Sequence, residues 1–352
     1  MELKSINTKL LQDIEKEILR VLPNLSEIES ARSLWHQRGG VTKEFQDNQQ
    51  IIQIEEPGSD LIRRGGKRWR PQLLVLFCGF FGGSEKTALK LCPFVELAHN
   101  GSLIVDDIED GSTMRRGAPA VHLKYGVDLS INAGNLLYFL PASCMAEAFL
   151  DKEIELSIYR LYFNAMQRLH YGQGLDILWH QKHNQLPSVD QYMSMCRFKS
   201  GSMSGLATSI GAKLGGAEEK IINKVRILGE ELGVCFQIID DITNLTTGNP
   251  GKLRGDDLIE GKKSLPLILC CQSDSRYKIE MLDILSQITK NEEDSSGLIQ
   301  AGINLIYKSG AIDEARGLAK EQCMVILEQL LEYGIENNSL KMINNLINSL
   351  IA

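Results

Sequence analysis

From about Ile51 onward, apolar residues recur at three- and four-residue intervals, and clean period-two alternation is almost absent. Residues three and four apart share one face of a helix, whereas a half-buried strand needs strict alternation. Few β-hairpin signals interrupt the pattern. The chain is thereby restricted to an all-α fold. Ahead of this region the same spacing appears at Leu3, Ile6, Leu10, Ile14, Ile18 and Leu22, followed by the polar, glycine-bearing stretch Gly39 to Gln50. We therefore expect an N-terminal helical arm and linker over residues 1–50 and a single helical domain over 51–352. Loops are expected at Arg63–Lys67, Gly111–Pro119, Lys182–Pro187, Thr246–Asp257 and Lys290–Gly297, where glycine, proline and charge collect. Gly201–Gly216, rich in Gly, Ser and Ala, allows close helix approach.

The chemistry of the chain starts in Ala98 to Gly117, AHNGSLIVDDIEDGSTMRRG. Asp106, Asp107 and Asp110 fall on one expected helix, with Arg115 and Arg116 just past its end. At about 100° per residue, Asp106 and Asp110 lie nearly in line one turn apart, with Asp107 to their side. Carboxylates this close raise one another's pKa unless a cation sits among them. One or two carboxylates, with water and phosphate oxygens completing the shell, form the arrangement Mg²⁺ uses. An acidic cluster by itself is ordinarily a solvated helix face, and the EF-hand alternative fails for want of acidic alternation and a closing Glu. A second copy changes the balance. Asp240, Asp241 and Asn244 stand in FQIIDDITN, on the helical run Ile221, Val225, Leu228, Leu232, Cys235, Ile239. Facing each other, two such clusters are expected to make one diphosphate-sized site for several metal ions.

A basic side accompanies them. GGKRWRP crowds Lys67, Arg68 and Arg70 into a loop ahead of an apolar helix. Arginine offers phosphate a planar fork and lysine a mobile point charge, although such a loop is equally compatible with plain solvation. Lys199 in FKSG, and Lys252 and Lys262 in GKLRGDDLIEGKKSLP, draw their meaning from company: a second phosphate not held by metal needs separate cations. His99 precedes Asp106 by seven residues, which puts it on nearly the same helix face roughly 10 Å away; a satisfied core histidine is the alternative. Gly101 and Ser102 leave no bulky side chain immediately below the metal cluster. Gln173 and Asp176, in HYGQGLDILWH, fit capping or core hydrogen bonding equally well.

Bulk properties exclude other classes. With 352 residues and 43% hydrophobic content the chain can bury a large core. A net charge of −7 with interspersed signs suggests neither a nucleic-acid nor an anionic-membrane surface. Eight cysteines without CxxC and six histidines without HExxH indicate neither zinc nor a disulfide framework, and favour a reducing compartment. The N-terminus lacks the apolar core of a signal peptide and is too acidic for a typical transit peptide. The most apolar run, Leu136 to Leu150, is interrupted by Pro141 and Glu147 and is too short to span a bilayer. A cytoplasmic chain is expected, with an organelle left open.

GGKRWRP, HNGSLIVDDIEDGSTMRRG, GQGLDILW, FKSG, FQIIDDITN and GDDLIEGKKSLP, in that order, make the chain resemble the trans-isoprenyl diphosphate synthases, most closely the eukaryotic geranylgeranyl diphosphate synthases. The resemblance runs from about Gly58 to Ile268; about 80 residues beyond it match only in helical character, and the first 50 not at all. It implies the isoprenoid synthase fold, an antiparallel helical bundle around a deep central cavity, in a homodimer. It also implies three Mg²⁺ per active site. Asp106 and Asp110 look like the principal ligands of the first motif, beside Asp107; Asp240, assisted by Asp241, looks like the chief ligand of the second. Asn244 replaces the last Asp of the general motif, as in the geranylgeranyl branch. Arg115, Lys199, Ser200, Gln237, Lys252 and Lys262 correspond to contacts of the allylic diphosphate, and Lys67, Arg70, His99 and Arg116 to contacts of isopentenyl diphosphate.

The activity so implied is head-to-tail prenyl transfer, from dimethylallyl, geranyl or farnesyl diphosphate to isopentenyl diphosphate. Bulky aromatics one turn before the first Asp stop the product at farnesyl in this family, and Gly101 and Ser102 do not. The deeper floor of the family's product tunnel corresponds to Tyr138, Phe139 and His170, which fits a geranylgeranyl product; an imperfect floor gives longer or mixed chains. Three other readings stand beside this one. A terpene cyclase normally carries an NSE/DTE-type second motif, a non-catalytic synthase subunit tends to lose the first acidic motif, and a plain helical scaffold needs neither.

Overall fold

The structure, a computed structural model, describes residues 8–22, 48–148, 150–181, 186–248, 254–290 and 295–351. Among them the only strands form one two-stranded hairpin; everything else regular is helical. The backbone falls into two compact units, one taking the described residues up to Tyr159 together with Ile210–Ala217, the other Arg160–Ser209 and the described residues from Glu218 onward.

The N-terminal unit contains α1 (Thr8–Arg20), α2 (Asn48–Arg63), α3 (Trp69–Phe80), α4 (Glu85–Lys90), α5 (Cys92–Glu109), β1 (Met114–Arg115), β2 (Ala118–Pro119), α6 (Val121–Tyr125), α7 (Val127–Phe139), α8 (Pro141–Ala148) and the first turns of α9 (Lys152–Gln181). Leu10, Ile14 and Ile18 recur every four residues on α1 and are buried, so its apolar stripe packs on α3, α4 and α5. Most of the expected linker lies outside the described residues, and its last three positions, 48–50, are already helical. The apolar run at Leu136 breaks where expected: α7 stops at Phe139 and Pro141 starts α8, a position where its missing N–H costs nothing. At the crossing of α5 and α7, Gly101 lies against the backbone of Gly134: a Cβ on Gly101 would sit 2.7 Å from the Gly134 carbonyl oxygen.

The C-terminal unit holds the rest of α9, α10 (Val189–Cys196), a π-helical turn (Arg197–Gly201), the start of α11 (Ser202–Leu214), α12 (Glu219–Leu245), α13 (Asp256–Ile259), α14 (Leu265–Ser273), α15 (Ser275–Lys290), α16 (Ser296–Lys308), α17 (Ala311–Leu331) and α18 (Asn338–Ile351). A capping box between Ser188 and Gln191 starts α10. α14, apolar all round, is buried from Leu265 to Cys271. Two glycines let the backbones meet around the π turn. A Cβ on Gly172 would collide with the Lys199 backbone, and one on Gly233 would lie 2.5 Å from the Gly201 Cα. All eight cysteines are buried free thiols. Among the described residues no helix is long and apolar enough to cross a membrane.

Candidate active site

In the N-terminal unit, α5 carries Asp106 and Asp107 in its last turn, and Asp110 caps its C-terminus with φ −88° and ψ −12°. The sequence placed all three on the helix; the third is one step beyond it. The amide of Asp110 donates to the Asp106 carbonyl at 2.8 Å, so these two stand one turn apart. A helix C-terminus is the negative end of its macrodipole, which adds to the carboxylate repulsion and increases the need for cations. Arg115 meets part of that need. Its Nε donates to Asp107 Oδ1 and Oδ2 at 2.9 and 3.1 Å, and its Nη2 bonds Asp107 and comes within 3.8 Å of Asp106 Oδ2. Asp107 is 0% exposed.

The arginine pair sits on the β1–β2 hairpin, paired Met114 with Pro119 and Arg115 with Ala118. Its two-residue loop, Arg116 and Gly117, has φ of 53° and 74°, the positive values at both central positions that a type I′ turn demands. Arg64 secures the hairpin from outside. It donates to the carbonyls of Arg115 and Pro119 at 3.0 and 2.9 Å while a fork to Asp60 fixes its own guanidinium. Neither Asp60 nor Arg64 was singled out from sequence, although their four-residue spacing is an ion-pair signal. Arg116 points the other way, to the Leu61 carbonyl (3.0 Å) and Asn100 Oδ1 (2.9 Å).

Arg70 Nη1 lies 3.2 Å from His99 Nε2. A guanidinium can only donate, so Nε2 accepts and the ring proton sits on Nδ1. Burial first, then the fields of Arg70, Arg116, Arg115 and Arg68, hold the His99 pKa well below its usual 6.5. The imidazole is neutral within a cluster of guanidiniums, an environment suited to an anion. Burial, opposed by Glu96 but aided by Arg68, Arg115 and Arg64, brings Arg116 down to about 10, still cationic at neutral pH. Lys67 is exposed on the same loop.

In the C-terminal unit the second acidic motif occupies the last turns of α12, with Asp240 exposed and Asp241 buried. Tyr192 Oη donates to Asp241 Oδ2 at 2.7 Å, the Leu265 amide to the same oxygen at 3.0 Å, and Gln237 Nε2 to Oδ1 at 2.9 Å. Burial, which these donors oppose, and the neighbouring Asp240 raise its pKa to about 6. Ser200 donates to Gln237 Oε1 at 2.7 Å, tying the π turn to this network. Lys199, on the same turn, donates to Asp176 at 2.7 Å, and His180 approaches the other Asp176 oxygen at 3.0 Å. Lys262 pairs with Glu260 at 2.5 Å. Asn244 donates to Asp256, and its Oδ1 is buried without a hydrogen-bond partner among the described residues. Lys252 lies outside the described residues. Tyr192 had no sequence signal; it reads as one more apolar position of α10.

Of the expected chain-length positions, Gly101 packs against α7: a Cβ there would also lie 3.0 Å from Leu137 Cβ and 3.1 Å from Tyr138 Cε1. Ser102 folds its hydroxyl back to the His99 carbonyl at 2.8 Å. Tyr138 is half-buried, Phe139 is 69% exposed, and His170, its Nδ1 bonded to the Met166 carbonyl at 2.8 Å, is exposed.

The donor set fits Mg²⁺. Among the described residues no three His, Cys, Asp or Glu form a preassembled cage. Mg²⁺ commonly uses one or two carboxylates together with substrate phosphates instead. Asp107 is engaged by Arg115, and Asp241 by Tyr192, Gln237 and Leu265.

The family model described as Polyprenyl synthetase matches residues 52–301. The chain belongs to this family. The match extends beyond Ile268, where the sequence motifs ended. A geranylgeranyl pyrophosphate synthase of Eremothecium gossypii is 34% identical over 219 residues, covering 61% of this chain and 68% of that protein. Geranylgeranyl pyrophosphate synthase 2 of Zymoseptoria tritici is 32% identical over 267 residues, 74% of this chain and 78% of its own. The crystal structure of the Pyrococcus horikoshii geranylgeranyl pyrophosphate synthetase superposes with a TM-score of 0.79 at 25% identity, covering 97% of this chain and 98% of that one. This polyprenyl synthetase family member therefore has the all-α fold of the prenyl synthases.

Proposed function

We propose that the chain is a Mg²⁺-dependent prenyltransferase that condenses allylic diphosphates with isopentenyl diphosphate, head to tail, to give geranylgeranyl diphosphate. One observation carries the reading. The N-terminal unit joins a carboxylate couple suited to Mg²⁺ with guanidiniums crowded about a neutral histidine, and Arg115 bridges the two. A metal diphosphate satisfies both halves. Bound Mg²⁺ supplies Lewis-acid stabilisation of the charge that develops on the departing diphosphate.

In this reading Asp106 and Asp110 are metal ligands at the end of α5 and Asp240 is one at the end of α12, while Asp107 and Asp241, engaged by their own donors, orient those helix ends. Lys199, Ser200, Gln237 and Lys262 bind and orient the allylic diphosphate, and Lys67, Arg70, His99 and Arg116 the isopentenyl one. The neutral His99 adds no charge and offers a Nδ1 donor. Tyr138 sets the product length. The activity is carried by a homodimer. Exposed Val127, Ile131 and Phe139 recur along one face of α7, and Phe163, Tyr171 and Leu178 along α9, apolar stripes that a second copy of the chain covers.

The test is to incubate the protein with Mg²⁺, isopentenyl diphosphate and a short allylic diphosphate, and to chromatograph the lipid products. Geranylgeranyl diphosphate is expected, with longer chains from Tyr138→Ala. Asp106→Ala and Asp240→Ala should each lose several orders of magnitude in turnover with an unchanged helical circular-dichroism spectrum. Near-normal turnover of either rejects the assigned roles.

A further inference from the structure

Among the described residues, two that are not glycine have positive φ, and both are arginines: Arg68 at 48° and Arg116 at 53°. The left-handed region is disfavoured for such side chains and persists where the surroundings enforce it, commonly at functional sites. At Arg116 the type I′ turn requires it, and both arginines belong to one polar chain that begins on α1. Arg68 Nε and Nη2 donate to Glu15 at 2.8 and 3.2 Å. Arg68 Nη2 also reaches the Ile62 carbonyl at 2.6 Å, and Nη1 donates to Glu96 Oε1 at 2.8 Å. The same Glu96 oxygen accepts from Asn100 Nδ2 at 2.9 Å, and Asn100 Oδ1 accepts from Arg116 Nη1 at 2.9 Å. Gly66 lies between the two arginines: a Cβ there would stand 3.1 Å from Arg116 Nη2 and 3.5 Å from Arg68 Nη1.

Arg68, Glu96 and Asn100 are buried, and the two ends of the chain, Glu15 with its side chain 35% exposed and Arg116, are partly open. The buried stripe Leu10, Ile14 and Ile18 fixes α1, and with it the carboxylate. Burial opposes the charge on Arg68, but its hydrogen bonds to Glu15 and the field of Glu96 overcome it and raise its pKa. Two carboxylates thus balance two guanidiniums along the chain. Without Glu15, Glu96 is left to serve Arg68, Asn100 and, through it, Arg116 alone, with an excess positive charge beside them.

We propose that Glu15 is a positioning residue: through Arg68, Glu96 and Asn100 it fixes Arg116, and so sets the affinity for isopentenyl diphosphate. The helix that precedes the family's motifs is then a working part of the site rather than a cover for the core. The inference rests on the prenyl-transfer reading for the identity of the diphosphate.

The test compares wild type with Glu15→Gln, which keeps the size and removes the charge. KM for isopentenyl diphosphate should rise roughly threefold to tenfold, the range expected for coupling through a contact network, while kcat and the allylic KM stay within about twofold of wild type. Glu15→Asp should recover part of the loss. In an Arg116→Lys background, Glu15→Gln should add little, because the group it positions is already gone. Thermal unfolding of each variant establishes folding. An unchanged isopentenyl diphosphate KM, a parallel rise for both substrates, or an equal rise in the Arg116→Lys background overturns the relay. A wild type that makes no prenyl product rejects the functional reading instead. Calorimetric titration of isopentenyl diphosphate into wild type and Glu15→Gln then decides the relay, and equal binding, or none by either, overturns it.

Discussion

Gly101→Ala puts one methyl group into the crossing of α5 and α7, and the structure sets the size of the effect. The new Cβ would lie 2.7 Å from the Gly134 carbonyl oxygen, 3.0 Å from Leu137 Cβ and 3.1 Å from Tyr138 Cε1. The nearest atom belongs to a helix backbone, which cannot swing aside as a side chain can, so α7 must move. Overpacking of this kind costs about 1–3 kcal/mol. Against it, alanine gains about 1 kcal/mol over glycine inside a helix, leaving a net destabilisation of about 0–2 kcal/mol. Gly317→Ala on α17 supplies the control, since no atom lies within 4 Å of the added Cβ. It should stabilise by about 0.4–1 kcal/mol. Subtracting one from the other cancels the propensity gain and isolates the crossing. The assay is equilibrium urea unfolding followed by far-ultraviolet circular dichroism. A Gly101→Ala midpoint at or above that of Gly317→Ala refutes the packing argument.

Two further outcomes follow from burial. His99 has a folded pKa well below 6.5, so below about pH 6.5 the unfolded chain takes up a proton that the folded one refuses. Stability of the ligand-free protein should therefore fall with a slope approaching 1.4 kcal/mol per pH unit from this group alone; His99→Gln should remove that increment between pH 6.5 and about pH 5, and identical slopes reject the neutral buried imidazole. Sedimentation equilibrium should give twice the chain mass for wild type and a folded monomer for Ile131→Glu, whose side chain is exposed in the single chain; a monomeric wild type rejects the dimer.

Much of the candidate donor set was legible because its residues are locally encoded. The acidic pairs, the Arg115–Arg116 doublet and the FKSG lysine each lie within one element, where helical spacing or a turn fixes their geometry. The packing of Gly101 was not legible for a related reason: a small residue in a helix signals close approach equally to a ligand and to another helix, and its contact with Gly134 on α7 exists only in the fold. Tyr192, Glu15 and Glu96 were invisible because their meaning lies in partners 49, 53 and 28 residues away.

The sequence by itself determined the helical class, the order of the motifs and the chemistry of the donor set, since periodicity and side-chain type are properties of short segments. Tertiary structure decided which carboxylates are engaged by protein donors, that the buried His99 stays neutral, and that α1 reaches the basic loop. Those outcomes depend on burial and on the fields of groups distant along the chain, and both quantities come into being when the helices pack.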